Sequence, residues 1–350
     1  MNIPHSKPTV GQEEAKGIQE ILASGKIATG EEVACFEQEM ASYMGLKGGV
    51  ATASGTAALH MSLLALGVKE GDEVIIPSFT CSALLNAVHY CRAIPIVVDI
   101  DYKTMNISLS ATHKALSKRT AAIIIPHMFG HPVENMNDFL SLGPPVIEDC
   151  AQSLGATSRA TMTGTIGTMA IFSFYATKVI TTGHGGMVVS QNDDLLNYIR
   201  DLREYDKKNE YKVRYNYCMT DIQGWIGRIQ LKKLPTFLEA RAKRAQEYEK
   251  KLSGLEGVVL PTKKGIYYRY VVKITKGRLP KVLEQLHQNG IEAQQPVFSP
   301  LHRYLGLDDY DTTEKVFSEA LSLPLYPRLK ADEVTYIARC LSRAMQVSNG

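Results

Sequence analysis

Met169-Ala-Ile-Phe-Ser-Phe-Tyr-Ala-Thr-Lys178 is the stretch on which the fold of this 350-residue chain turns. Its first half is apolar on both faces, as a strand reads when helices rather than water cover the sheet on either side. The strand delivers a hydroxyl at Ser173. Five residues later a lysine stands just before the Gly-rich run Thr181-Thr182-Gly183-His184-Gly185-Gly186 and a further apolar run, Met187–Val189. A lysine in such a place is usually a surface charge. Lys178 is bracketed by aromatic and small residues instead of other charges, so a partly desolvated amine able to form an imine is expected.

Working outward, runs of the same kind recur at Glu73–Pro77, Ile94–Asp99, Ala121–Pro126 and Val146–Asp149, alternating with helical stretches. That alternation specifies an α/β fold with a mostly parallel central sheet covered by helices. Before it, Glu13 to Tyr43 reads as helical, interrupted by a Gly-containing turn at Ser24–Gly30. After it, the charged segment Leu231–Leu252 reads as a helical connection to a second unit. In that unit Tyr267–Ile274 has the character of a strand, Leu279–Asn289 of a helix and Ala331–Val347 of a closing helix. The expected division is a large α/β domain over residues 1–240, N-terminal arm included, and a small α+β domain over 241–350. A single core stops growing near roughly 250–300 residues, which favours such a split.

Bulk composition removes several function classes. A net charge of +3, with no clustered basic block, argues against nucleic acid as a partner. No stretch approaches the ~20 apolar residues of a membrane span, and the first residues lack a secretory or transit pattern, so a cytoplasmic location is expected. Cys35, Cys81, Cys91, Cys150, Cys218 and Cys340 are scattered with no C-x-x-C pair, which fits neither a zinc site nor a disulfide framework; free buried thiols are expected.

Two further elements carry chemistry. Ser54-Gly55-Thr56-Ala57 opens the apolar helix that continues through LHMSLLALG. Free backbone N–H groups and the helix dipole make such a start an anion site, although Ser-Gly-Thr before a helix is more often only an N-cap. Val146-Ile147-Glu148-Asp149 is an apolar strand ending in two acids, at the sheet edge where α/β folds gather ligands. One of the two is expected to be a solvated loop acid. Asp149, nearer the small residues that follow, is expected to be the buried one. Together with Lys178 these elements supply an anion cradle, a carboxylate for a ring nitrogen and an amine for an aldehyde, the needs of a pyridoxal phosphate enzyme.

The order of motifs resembles the DegT/DnrJ/StrS family of sugar aminotransferases, pyridoxal phosphate enzymes of fold type I, over nearly the whole chain. The resemblance rests on ASGKIATGEEVACFEQEMASYMG, SGTAALHMSLLALGVKEGDEVIIPSFT, IEDCAQSLGA, FSFYATK, TTGHGGMVV, Tyr215-Asn216 before Met219-Thr220-Asp221, and LPLYP. It implies that Gly55, Thr56, Ala57 and Ser173 hold the cofactor phosphate, and that Asp149 pairs with the ring nitrogen. It places Gln152 close to the ring or its phenolic oxygen and makes Lys178 the Schiff-base lysine and proton shuttle. Asn216 matches a residue that reaches the phosphate of a neighbouring subunit, which implies a homodimer with shared active sites. The implied reaction carries an amino group from a donor, typically glutamate, through pyridoxamine phosphate to a keto-sugar. A sister group that dehydrates sugars lacks the lysine, so Lys178 argues for transamination.

The chain departs from the family pattern around the substrate side. Cys81 stands where a ring-stacking aromatic is common, His184 where an acid is usual, and Cys218 where an Arg is common. Tyr268 replaces a frequent His, and Pro296-Val297 a His-Tyr pair, while His302 is retained. Other readings are weaker. His127 and His131 have metal-pair spacing, but Pro126, Gly130 and Pro132 oppose the helix needed to align them. No G-x-G-x-x-G follows a first strand, as a nicotinamide enzyme would need. His60 reads as a satisfied, partly buried histidine. A cofactor-binding protein that no longer turns over, and elimination or aldol chemistry on the same scaffold, are the remaining alternatives.

Overall fold

The computed structural model describes residues 2–261, 265–275 and 278–347. Seven strands form the central sheet: β1 (Gly48–Thr52), β2 (Glu73–Pro77), β3 (Ile94–Val98), β4 (Thr120–Pro126), β5 (Val146–Asp149), then, after a short hairpin of β6 (Thr157–Ser158) and β7 (Thr161–Met162), β8 (Met169–Ser173) and β9 (Gly186–Ser190). Their order is β1-β9-β8-β5-β4-β2-β3. β9 runs antiparallel to both β8 and β1, while the β8-β5-β4-β2-β3 pairs are parallel. Six strands therefore share one direction, and the carboxyl ends of β1, β2, β5 and β8 lie along one edge. The expected mostly parallel α/β sheet is present, with β1 as an edge strand that its Gly48-Gly49 start had concealed from the sequence reading.

Helices cover both faces. Gly55–Ala65 packs its apolar residues into the core with Val74, Ile76, Ile124 and Ile171, and Phe36 and Met40 of the helix Glu31–Met44 lie under Phe172 and Phe174 on the other face. The helix expected at Leu231–Leu252 is longer, running from Asp221 to Leu252. Its first turns hold Gly224 and Gly227. Packing explains them: a Cβ at Gly224 would lie 2.7 Å from Val33 N, and one at Gly227 2.6 Å from the Phe36 ring. Thr220 caps this helix and Asp221 accepts the Gly30 and Val33 amides at 2.8 and 3.1 Å, tying it to the turn that separates Gln12–Ser24 from Glu31–Met44.

A second sheet, β10 (Val258–Val259), β11 (Tyr270–Ile274) and β12 (Ala320–Leu323), packs with the helices Leu279–Gln288 and Ala331–Val347 around its own core. Residue 240, where the sequence reading divides the chain, falls inside the long helix. The N-terminal arm does not simply accompany the large sheet: Ile3 bridges to Ile291 and is buried in the second core. No helix among the described residues is long and apolar enough to cross a membrane. Cys91, Cys150 and Cys340 are buried, but Cys35 and Cys218 are only partly so and Cys81 is exposed, which narrows the expectation of buried thiols to three.

Glu148 overturns the expectation that one acid of the β5 pair is a solvated loop acid. It is fully buried, and its oxygens accept from His127 Nε2 (2.9 Å) and from the backbone amides of Gly164 (2.8 Å), Ile166 (2.7 Å) and Gly167 (2.6 Å). His127 Nδ1 accepts the Val133 amide at 3.0 Å, so both ring nitrogens of His127 are engaged within the protein. Cys150 Sγ lies in the same cluster. Burial opposes ionisation of Glu148, yet the His127 hydrogen bond and the Gly167 and Gly164 amides outweigh it and hold the carboxyl below the ordinary range. A depressed folded-state value stabilises the protein above the ordinary Glu range and loses that contribution as pH falls through the folded value. Glu148→Gln, which turns an NH2 toward backbone donors, should cost about 3–5 kcal/mol in denaturant unfolding at neutral pH and flatten the acid limb of the stability curve. An unchanged midpoint and acid limb would show that the network contributes nothing.

Candidate active site

The shared strand edge encloses a cavity of about 250 Å³ whose wall includes Gly55, Thr56, Cys81, Asp149, Ser173 and Lys178. The topology explains the gathering. Ser173 ends β8 and pairs in register with Gly186, which also pairs with Thr52 at the end of β1. The helix that follows β1 is thereby laid against Ser173. A Cβ at Gly55 would come within 2.8 Å of Ser173 Cβ, and one at Gly186 within 2.4 Å of Ser54 O. Only glycine allows this approach at either position.

Ser54 caps the helix, its Oγ accepting the Ala57 amide at 3.1 Å, while Ala58 N–H donates to Ser54 O at 3.0 Å. This corrects one expectation: the Ala57 amide is taken by the cap, and Ala57 is not part of the cavity wall described above. The Gly55 and Thr56 amides have no partner among the described hydrogen bonds and face the cavity with the positive end of the helix dipole. With the Ser173 hydroxyl they form an anion cradle.

Asp149 closes β5 beneath the cavity. Its Oδ1 accepts the Ala151 amide at 2.9 Å, and no hydrogen bond to its Oδ2 is found among the described residues. Burial pushes this carboxyl up, against the Ala151 amide and the Lys178 charge. A buried carboxylate with one oxygen unclaimed suits a protonated ring nitrogen. Lys178 reaches the same space from a tight turn in which its amide donates to Tyr175 O at 2.9 Å, while Phe174 and Gly185 close the loop at 2.8 Å. An anion cradle, an unpaired acid and an amine thus surround one cavity, and their chemistry fits the phosphate, ring nitrogen and aldehyde of pyridoxal phosphate.

The other expected residues are placed differently. Cys81 lines the cavity, leaving a thiol where a stacking ring would fill more space, and His184 lines it too, edge-on to Tyr175 at 5.1 Å between ring centres. Tyr175 was not anticipated, although its position between Ser173 and Lys178 was the available signal. Gln152 is not in the cavity wall: its Oε1 accepts the Phe129 amide at 2.9 Å, supporting a residue with positive φ. Cys218 Sγ contacts Arg203 O at 3.7 Å, Pro296 O accepts from Arg269 at 3.2 Å, and His302 bonds Ser78 Oγ at 2.6 Å.

Asn216 is exposed and lies outside this chain's cavity wall. Its segment is pinned from both sides, since Tyr215 and Tyr217 ring His60 with Tyr90, at centroid separations of 4.9, 6.0 and 5.4 Å. His60 is more deeply buried than the sequence suggested. Its Nδ1 meets Tyr217 OH at 3.3 Å, its Nε2 has no partner among the described residues, and burial pushes it down to about 4, so it stays neutral.

Comparison with known proteins agrees with this geometry. The family model for the DegT/DnrJ/EryC1/StrS aminotransferases matches residues 8–342. GDP-perosamine synthase of Caulobacter vibrioides is 35% identical over 332 residues, covering 89% of each chain. The spore coat polysaccharide biosynthesis protein SpsC of Bacillus subtilis is 31% identical, covering 95% of this chain and 94% of its own. Among solved structures, the aminotransferase TlmJ from Streptoalloteichus hindustanus superposes with a TM-score of 0.94 at 26% identity, over 99% of this chain and 100% of its own. The chain belongs to the DegT/DnrJ/EryC1/StrS family and is a pyridoxal phosphate-dependent aminotransferase.

Proposed function

We propose that the protein moves an amino group from an amino acid, glutamate foremost, to a nucleotide-linked keto-sugar in the biosynthesis of an amino sugar. The observation that carries this reading is the convergence of Lys178, Asp149 and the Gly55–Ser173 cradle on one cavity. Relatives named for GDP-perosamine synthesis and for a spore coat polysaccharide support the sugar acceptor.

Bound pyridoxal phosphate supplies an aldehyde carbon and a conjugated ring able to take up an electron pair. The protein's residues do the rest. The Gly55 and Thr56 amides and the Ser173 hydroxyl hold the phosphate, the amides at a helix start where an anion gains about 0.3–1 kcal/mol from the dipole alone. Asp149 keeps a proton on the ring nitrogen. Lys178 would hold the group at its aldehyde, and its free Nζ would accept the proton from the donor's amino-bearing carbon and give it up on the carbon across the nitrogen. Leu59, Ala83 and Ile171 supply apolar wall that keeps water from these groups.

The division into a large domain over 1–240 and a small one over 241–350, a cytoplasmic location and a homodimer with shared sites belong to the same reading. The dimer is supported by an Asn216 exposed outside its own cavity and by apolar side chains left uncovered, Tyr211 at 96% and Phe298 at 93% exposure. Gln152 acts by holding the Phe129 backbone.

Three outcomes are expected. Purified protein with pyridoxal phosphate should show a visible absorption band that Lys178→Ala lacks and that glutamate bleaches; a band indifferent to every amino donor would favour the binder or the elimination and aldol alternatives. Asp149→Asn should retain bound cofactor but lower kcat by about 10²-fold, the scale of a lost electrostatic partner, and wild-type turnover in that variant would remove Asp149 from its role. Lys178→Ala and Asn216→Ala chains, each inactive alone, should regain activity when unfolded and refolded as a mixture, because the hybrid dimer rebuilds one complete site; no recovery from hybrids shown to form would exclude sharing through Asn216.

A further inference from the structure

With the cradle, Asp149 and Lys178 committed to pyridoxal phosphate, the amino acid that meets it still brings a carboxylate in need of a partner. Few groups are left to supply one. Among the described residues the cavity wall holds one acid, Asp149, and two basic side chains, Lys178 and His184. Arg269 is turned aside: it donates to Pro296 O at 3.2 Å, lies 5.5 Å from the centre of the Tyr268 ring and is not part of that wall. His184 is displayed rather than packed. It is exposed, it follows Gly183 at a φ of 81°, and a Cβ on the next residue, Gly185, would lie 2.5 Å from Thr182 Oγ1. Its carbonyl is held twice, by Thr182 Oγ1 at 2.5 Å and by Gln223 Nε2 at 2.7 Å, and Gln223 also closes the cap of the long helix with Thr220. The main chain is thus fixed while the imidazole is left unspent: no hydrogen bond to either ring nitrogen is found among the described residues. The ring meets Tyr175, another wall residue, edge-on at 5.1 Å and 66°, a contact that favours one ring orientation.

We propose that His184 is the substrate-binding residue that takes the carboxylate of the amino acid donor. The inference deepens the transamination reading and rests on it. A donor reacting at Lys178 carries its α-carboxylate on the same carbon as its amine, so the charge enters the same cavity of about 250 Å³. An imidazole presents an N–H donor with one proton and two donors with two, so it can bond a carboxylate in either form. The rest of the wall offers that anion little: Leu59, Ala83, Ala151 and Ile171 are apolar, and Asp149 opposes a second negative charge. A carboxylate that leaves water for such a wall loses its hydration, and a positioned donor decides between entry and exclusion. The diphosphate of a nucleotide-linked acceptor is the other anion that could use His184. The donor is favoured because its charge sits one bond from the reacting carbon, whereas a diphosphate is separated from the reacting carbon by part of a sugar ring.

The test uses full-length protein loaded with pyridoxal phosphate and three probes: L-glutamate, followed by bleaching of the visible band; glutarate, the same dicarboxylate without the amine, followed by calorimetry; and GDP, also by calorimetry. His184→Leu, with an unfolding midpoint close to wild type, should raise the half-saturating concentration of glutamate and the Kd of glutarate by about tenfold or more, the scale of one lost hydrogen bond to a charged group. GDP binding should stay as in wild type. His184→Glu, which reverses the sign, should weaken both dicarboxylates further, and His184→Gln, which keeps an N–H donor, should recover part of the loss. Dicarboxylate binding unchanged in His184→Leu would overturn the proposal. So would a loss confined to GDP, which assigns His184 to the acceptor, or wild-type protein that binds neither dicarboxylate. Glutarate binding needs no turnover, so the two readings separate: protein that binds glutarate through His184 yet is bleached by no amino donor sinks transamination, and a bleached wild type whose His184→Leu variant binds both dicarboxylates equally well sinks the His184 assignment alone.

Discussion

The site depends on a steric constraint: backbone must approach backbone where β8, β9 and the first turn of the helix after β1 meet. Gly186 lies in register with both Ser173 and Thr52, and neither it nor Gly55 has room for a Cβ. The single reversed strand makes this possible. Because β9 runs against both neighbours, β1 regains the direction of β8, and the helix it feeds starts at the edge where Asp149 and Ser173 end their strands. Dipole, hydroxyl and carboxylate are then fixed by main chain around one cavity.

A second layer of order lies beneath that edge. Glu148 turns away from the cavity and spends its whole acceptor capacity on His127 and three backbone amides of the loop that leads into β8. Adjacent residues of one strand point to opposite faces, so Asp149 can face the ligand only because Glu148 is accommodated behind it. The pair divides its work accordingly, one carboxylate fully satisfied and inert, the other left with an unclaimed oxygen.

Much of this was legible in the amino-acid order. Apolar runs ending in small or polar residues located β2 to β5, β8 and β9, because a strand covered on both faces must be apolar throughout. The Ser-Gly-Thr helix start, Asp149, Ser173 and Lys178 were each visible as local chemistry. The reading failed where a residue's reason lies elsewhere in the chain. The long helix was expected only from Leu231, whereas it starts at Asp221, with Gly224 and Gly227 packed against the Val33 backbone and the Phe36 ring nearly two hundred residues away. Glu148 looked solvated because the amides that bury it come from residues 164–167. Ala57 looked like a phosphate ligand until the cap bond from Ser54 was seen to use its amide.

The sequence by itself determined most strands of the large sheet, the α/β class and which side chains were candidates for chemistry, since periodicity and local composition report what each short segment must bury. Only the tertiary structure decided that Glu148 is buried away from the cavity, which amides stay free, and that Lys178 and Arg269 lie over the Tyr268 ring while Arg241 of the long helix bonds its backbone carbonyl. The physical reason is that the charge state and unused hydrogen-bonding capacity of a buried group are set by all the atoms around it. Those neighbours are drawn from distant parts of the chain, which no local pattern can reveal.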